Sequence, residues 1–154
     1  MHALKASAAR GLNAQVTLKS VTTPTWQRET EDLHEFFEAW LGGSSPQDEA
    51  SFQRLNQALA PSFVIISPAG VVSTRNPLMS SLYEGHGSRE GLRIDIKNPV
   101  LRFENADIVV ATYEEWQTYA DSESARLSTV VFEKLSAEEL RWLVHETWLK
   151  RRGA

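Results

Sequence analysis

The stretch that decides the fold runs from Leu92 to Lys150, LRIDIKNPVLRFENADIVVATYEEWQTYADSESARLSTVVFEKLSAEELRWLVHETWLK. Three short polar breaks divide it: Glu104-Asn105-Ala106-Asp107, Asp121-Ser122-Glu123 and Ser136-Ala137-Glu138-Glu139. The runs between them predict strands over Leu92–Phe103, Ile108–Tyr119, Ala125–Leu135 and Leu140–Lys150, since branched and aromatic side chains suit a pleated, half-buried surface. Breaks this short join consecutive antiparallel strands. Pro99 cannot donate to a β-ladder, so it marks the first strand as an edge strand or as bulged.

Upstream the pattern is helical. Leu33, Phe36, Phe37, Trp40 and Leu41 share one face of a helix that begins at Glu29, with acids Glu29, Glu31 and Asp32 in its first turns and Gly42-Gly43 as its stop. Ser45-Pro46-Gln47-Asp48 reads as a serine N-cap, a proline at the first helical position and a capping-box acid. The second helix then carries Phe52, Leu55 and Leu59 to about Ala60, and Pro61 ends it. Phe63-Val64-Ile65-Ile66, the turn Pro68-Ala69-Gly70 and Val71-Val72 predict a small hairpin. Asn76-Pro77 opens a short third helix bearing Leu78, Met79, Leu82 and Tyr83, which leaves through Gly85-His86-Gly87. Three helices followed by a meander of long strands is an α+β layout, with a curved antiparallel sheet wrapped around the helices.

Composition bounds the function. A chain of 154 residues with 42% hydrophobic and 23% charged residues is one ordinary globular domain. The absence of cysteine removes disulfides, thiolate nucleophiles and Cys-ligated metals, and is compatible with a cytoplasmic location. A formal net charge of −4 gives no field for phosphate backbones, so nucleic acid is not an expected partner. No apolar run approaches the roughly 18 residues that cross a bilayer, so no membrane role is expected. Residues 1–27 contain Lys5, Arg10 and Lys19 and no acid, in the manner of a transit peptide, but lack a continuous apolar stretch. They are better read as an N-terminal arm in which Val16 and Leu18 alternate with Thr17 and Lys19 as a short strand. Residues 28–150 are the domain and 151–154 a tail.

Two strands are apolar at both parities. Val130 and Phe132 alternate with Leu127 and Val131, and Trp142 and Val144 alternate with Leu143 and Leu149. A sheet with helices on one face and water on the other should be polar at alternate positions. A homodimer through the sheet face is therefore expected.

This order of elements resembles the nuclear transport factor 2-like (cystatin-like) fold, a cone-shaped α+β barrel. Leu59 to Leu78, LAPSFVIISPAGVVSTRNPL, is similar to that fold's passage from second helix to first hairpin. Val109 to Gln117, VVATYEEWQ, and Leu140 to Leu149, LRWLVHETWL, are similar to the central and closing strands of the SnoaL-like and calcium/calmodulin-dependent kinase II association-like branch, domain of unknown function 4440. The resemblance covers residues 28–150. Because this fold carries isomerases, dehydratases, cyclases and oligomerisation hubs, it does not imply one activity. Where ketosteroid isomerase-like members have an aspartate base, this chain has Ser67, which cannot act as a carboxylate base. Where the kinase hubs carry a pocket arginine after a segment resembling Val144 to Thr147, it has Trp148.

The cavity of such a fold is the place for a small molecule. Neighbouring strand residues point to opposite faces, so only one of Glu114 and Glu115, and one of His145 and Glu146, can enter it. Taking Trp142, Val144, Glu146 and Trp148 as inward lines the interior with large groups and sends His145 and Thr147 to the dimer side. The expected pocket then holds Trp40, Tyr83, Glu114, Trp116, Ser128, Glu146 and Trp148. Glu146 and Glu114 are the candidate catalytic residues, since desolvation raises a carboxyl pKa toward neutrality. The structural alternative is a glutamate paired with Arg93, Arg102, Arg126 or Arg141. Trp40 and Trp142 also fit the core. No cofactor is expected. His2, His34, His86 and His145 fall on separate elements without metal-ligand spacing, leaving only a site of one histidine and acids across strands. Two functions remain: a domain binding a small hydrophobic or acidic ligand, with metal-free isomerase- or cyclase-like chemistry, or a non-catalytic dimerisation and association domain.

Overall fold

A computed structural model describes residues 23–151. The arm strand expected around Val16–Lys19 lies outside them, as does most of the tail. The helices are α1 (Thr25–Gly42), α2 (Glu49–Ala58) and α3 (Arg75–Glu84). The strands are β1 (Leu59–Ile66), β2 (Val72–Thr74), β3 (Arg93–Glu104), β4 (Ile108–Tyr119), β5 (Ser122–Lys134) and β6 (Leu140–Leu149).

α1 starts a turn earlier than its acids suggest, behind Pro24. It buries Trp26, Thr30, Leu33, His34 and Trp40 along one stripe. Gly43 ends it in the left-handed conformation with φ 81°, and a Cβ there would stand 3.1 Å from the Cα of Gly87. That close approach brings the amides of Gly87 and Arg89 onto the last α1 carbonyls, those of Trp40 and Leu41. The Gly85-His86-Gly87 exit of α3 therefore caps α1. α2 is capped by Asp48 rather than Ser45, its carboxylate accepting from the Ser51 amide at 2.7 Å. Pro61 does not end α2 but lies inside β1, where the pairing with β6 shifts register between Leu59 and Val64, as a residue without an N–H requires.

The six strands are ordered β2-β1-β6-β5-β4-β3. β3 to β6 form the antiparallel meander that the sequence predicts, and β1 and β2 form the small hairpin. Pro99 sits in the edge strand β3 at a register shift between Lys97 and Val100. Two features correct the expected cone-shaped antiparallel sheet. β1 pairs with β6 in parallel, so the sheet is mixed. Its edges, β2 and β3, lie at opposite ends of the order, so the sheet is open and closes into no cone. The chain leaving α2 meets the free edge of β6, the last strand of the meander, a long-range pairing that hairpin spacing cannot reveal.

The core lies between the helices and the inner face of the sheet. Trp26, Leu33 and Leu55 pack against Val109, Ala111, Tyr113, Val130, Phe132 and Trp142. Phe132 and Trp142 meet edge-on with centroids 4.9 Å apart. The Trp142 indole donates to Glu29, which also takes both bonds of the Arg54 guanidinium, so one carboxylate ties α1 and α2 to β6.

The faces of β5 and β6 are matched by a bulge. Val131 pairs with Val144 and Phe132 with Trp142, leaving Leu143 as the extra residue. Val130, Phe132, Trp142 and His145 consequently all point inward and are buried. Truncating Phe132 to alanine is expected to cost about 3–5 kcal/mol in urea unfolding. Leu135→Ala, at a half-open position, is expected to change stability by less than about 0.5 kcal/mol.

Candidate functional site

Three elements bring polar groups together beneath the helices. α1 supplies His34, one residue past the core leucine Leu33. β4 supplies Tyr113, Glu115 and Gln117 by strict alternation on its buried face. β6 supplies His145, turned inward by the Leu143 bulge.

The hydrogen bonds fix the proton positions. His34 Nδ1–H donates to the Thr30 carbonyl at 2.8 Å, and its Nε2–H donates to Glu115 Oε1 at 2.9 Å. Acceptors thus face both nitrogens of the ring, and the pair is closed off from solvent. The Gln117 amide donates to the other Glu115 oxygen. Tyr113 O–H donates to His145 Nε2 at 2.8 Å, and the two rings lie nearly parallel, 14° apart.

Burial opposes the Glu115 charge, but the hydrogen bond and charge of His34, with help from His145 and Gln117, outweigh it and hold the carboxyl at about 2. Burial first, and the charge of His34 second, push His145 down to about 4, so it is neutral at pH 7. Burial, then the Glu115 charge, push the Tyr113 phenol well above its ordinary value.

Above the cluster is a cavity of about 180 Å³. Its walls are apolar: Leu33, Phe37 and Leu41 of α1, Phe63 and Ile65 of β1, Leu78 and Leu82 of α3, and Leu92 and Ile94. Among the described residues, its polar lining comes from His34, Glu115, Gln117, His145, Arg89 and Arg126. The buried Arg126 Nε has no hydrogen-bond partner among the described residues, while Arg89 lies over the Tyr119 ring at 5.0 Å.

The expected parity of β4 and β6 is reversed. Glu114 lies on the outer face, held by Lys150 Nζ at 2.6 Å, Asn98 Nδ2 at 2.6 Å and the Trp116 indole at 3.1 Å. Those bonds, Lys150 first, lower its pKa to about 2, opposite to the rise expected in a cavity. Trp116 is stacked against Lys97 and Lys150. Glu146 pairs with Thr129 in register and is half-buried on the outer face, where Trp148 is 58% exposed. The outer register Glu114, Leu127, Trp148 does bring several of the expected residues together, but away from the cavity.

Trp40 is fully buried, packed against Phe52, Tyr83 and His86 with its indole donating to the Leu82 carbonyl. Tyr83 lines a separate crevice between α2 and α3 with Phe52 and Met79. Ser128 faces inward opposite Tyr113. Ser67 Oγ accepts from the Val71 amide at 3.2 Å and closes the turn. The residues that the sequence reading missed carried one usable signal: the β4 apolar positions Val109 and Ala111 share parity with Glu115, not Glu114.

The fold is that of the nuclear transport factor 2-like superfamily. A protein of that class and of unknown function from Pseudomonas aeruginosa superposes with TM-score 0.77 and 29% identity, over 82% of this chain and 99% of that one. The hub of calcium/calmodulin-dependent kinase II from S. rosetta gives 0.61 at 14% identity, over 79% and 93%. A candidate ketosteroid isomerase from Shewanella frigidimarina gives 0.62 at 14%, over 81% and 95%. Within that fold, the chain belongs to the sucrose-6-phosphate phosphohydrolase C-terminal family, whose model matches residues 29–150. This is a different family from domain of unknown function 4440. No curated protein matches the chain. Among the described residues, no helix is long and apolar enough to cross a membrane.

The site makes stability acid-sensitive. Both His145 and Glu115 bind protons more weakly folded than unfolded, so their contribution is present above the unfolded values and lost on acidification. The loss is expected to begin below the ordinary histidine value of 6.5, as pH falls toward 4, and to continue from 4.5 toward 2. Melting temperatures recorded across pH 7 to 3 should fall throughout that window, roughly. Glu115→Gln should flatten the lower part.

Proposed function

We propose that this domain binds a small amphipathic acid in the cavity between α1, α3 and the inner face of the sheet. The observation that carries the reading is an apolar cavity in which the buried Nε of Arg126 has no partner among the described residues. A buried donor left unpaired costs on the order of 1–3 kcal/mol, and a ligand carboxylate would recover it through a charge-assisted bond. Leucine and phenylalanine walls suit a hydrocarbon or aromatic body. They offer little to a polyhydroxylated sugar, so the family name carries no substrate to this chain.

Binding, rather than turnover, is the chemistry assigned. Glu115 at about 2 is too weak a base for proton abstraction near neutrality, and Tyr113 is too weak an acid. An isomerase- or cyclase-like reaction would need the ligand to displace one of these groups from its partner. Thermal-shift screening of phenyl- and alkyl-substituted carboxylic acids on chelator-treated protein tests the reading. A ligand at 100 times its dissociation constant should add about 2.7 kcal/mol, and Arg126→Gln should weaken it by about tenfold or more. No stabilisation by any acid of either class would overturn the proposal.

A second reading, self-association through the outer face, is favoured by its own observation. Phe103, Val110, Val131 and Val144 form one cross-strand row over β3 to β6. Phe103, Leu127 and Trp148 on that face are 52%, 46% and 58% exposed. Single scattered apolar side chains need no partner, but a contiguous row does. Light scattering after size exclusion should give a dimer, and Val131→Lys a monomer; a monomeric wild type at micromolar concentration would remove this reading.

A further inference from the structure

We propose that His34, Glu115 and His145 form a site for a zinc ion on the floor of the cavity. One donor atom from each lies within 4.8 Å of the others, and all three residues are buried. Two imidazole nitrogens and one carboxylate oxygen, with a fourth position open to a cavity, make the ligand set that zinc takes in three-ligand sites.

The second layer is already in place. His34 Nδ1–H is held by the Thr30 carbonyl, which aims Nε2 at the centre of the cluster and fixes the tautomer needed for ligation. Gln117 holds one Glu115 oxygen and leaves Oε1 facing the histidines. Bonds of about 2.0–2.1 Å place tetrahedral ligands about 3.4 Å apart. The His34–Glu115 pair, at 2.9 Å, is already that close, and the widest pair must draw in by about 1–1.5 Å.

Metal and proton compete for the same atoms. Zinc would replace the proton on His34 Nε2 and take the lone pair of His145 Nε2 that now accepts from Tyr113. The phenol is then free to turn toward the ion as a fourth donor or to give way to water. Arg126 opposes the dication, since its charge already bears on His145, while the Glu115 carboxylate offsets it. The metal and the acid thus make opposite demands on Arg126, so the two proposals fail separately.

The test is a titration of chelator-stripped protein with Co²⁺, which reports four-coordination through its visible absorption, followed by displacement with Zn²⁺. Wild type should take up one Co²⁺ per chain with an intense visible band that zinc abolishes. Glu115→Gln and His145→Ala should lose the band, and Arg126→Gln should bind the ion more tightly while losing affinity for acids. If a variant does not fold by circular dichroism, X-ray absorption at the zinc edge of loaded wild type decides in its place, with two imidazoles expected among the ligands. Absence of stoichiometric binding, a band surviving in both Glu115→Gln and His145→Ala, or an edge spectrum without imidazole would overturn the proposal. Acid binding by the stripped protein would stand in any of those events.

Discussion

One extra residue in β6 sets the character of both faces of the sheet. Trp142 and His145 are three positions apart, and a regular strand would send them to opposite sides. The bulge at Leu143 lets both point inward, Trp142 opposite Phe132 and His145 opposite Val130. Without it, either the Trp142–Phe132 contact or the histidine would leave the interior. The same shift moves Glu146 and Trp148 to the outer face. A local change of register therefore separates a polar inner cluster from an apolar outer row.

The inner cluster also explains how α1 is placed. Charges removed from water are stabilised only when pairing and hydrogen bonding are both satisfied, and breaking such a pair costs about 3–5 kcal/mol. Glu115 meets this condition through His34 and Gln117, and His34 meets it through Glu115 and its own helix. The helix is consequently held at three heights: Glu29 by Trp142, His34 by Glu115, and Trp40 by the Leu82 carbonyl. Sliding α1 by one turn would leave a charge, an indole and a carbonyl unpaired in a dry interior. Apolar packing alone does not impose such a register, because hydrophobic contact is non-directional.

What the sequence discloses is local. Alternation and polar breaks place the four long strands within a few residues, and Pro99 marks an edge strand with a register shift, because a missing N–H acts on its own neighbours. Helix periodicity finds α1 through Leu33 and Trp40. Long-range pairing is not disclosed: the parallel union of β1 with β6 depends on which edge is free after the meander forms. The site is less legible again. Glu114 and Glu115 are chemically identical, and only the parity shared with Val109 and Ala111 distinguishes them. The parity of β6 could not be read forward from Trp142, since a bulge between hydrophobic residues leaves no mark in the pattern. His34 looks like one polar residue on an apolar stripe until His145 and Glu115 are set beside it.

The two adjacent glutamates show how alternation divides labour. Both are held ionised, but by different means: Glu114 by Lys150 and Asn98 near solvent, Glu115 by a histidine against the pull of burial. On the outer face, Lys97 and Lys150 stack on Trp116 while Lys150 also neutralises Glu114. The charge of Glu114 is thus settled within the chain. Inside, the charge is settled by a partner that a ligand or an ion can replace. A carboxylate bound to a distant lysine on a surface is a finished structure, whereas one bound to a histidine beside a cavity, a neutral histidine and an arginine whose Nε has no partner among the described residues keeps its chemistry available.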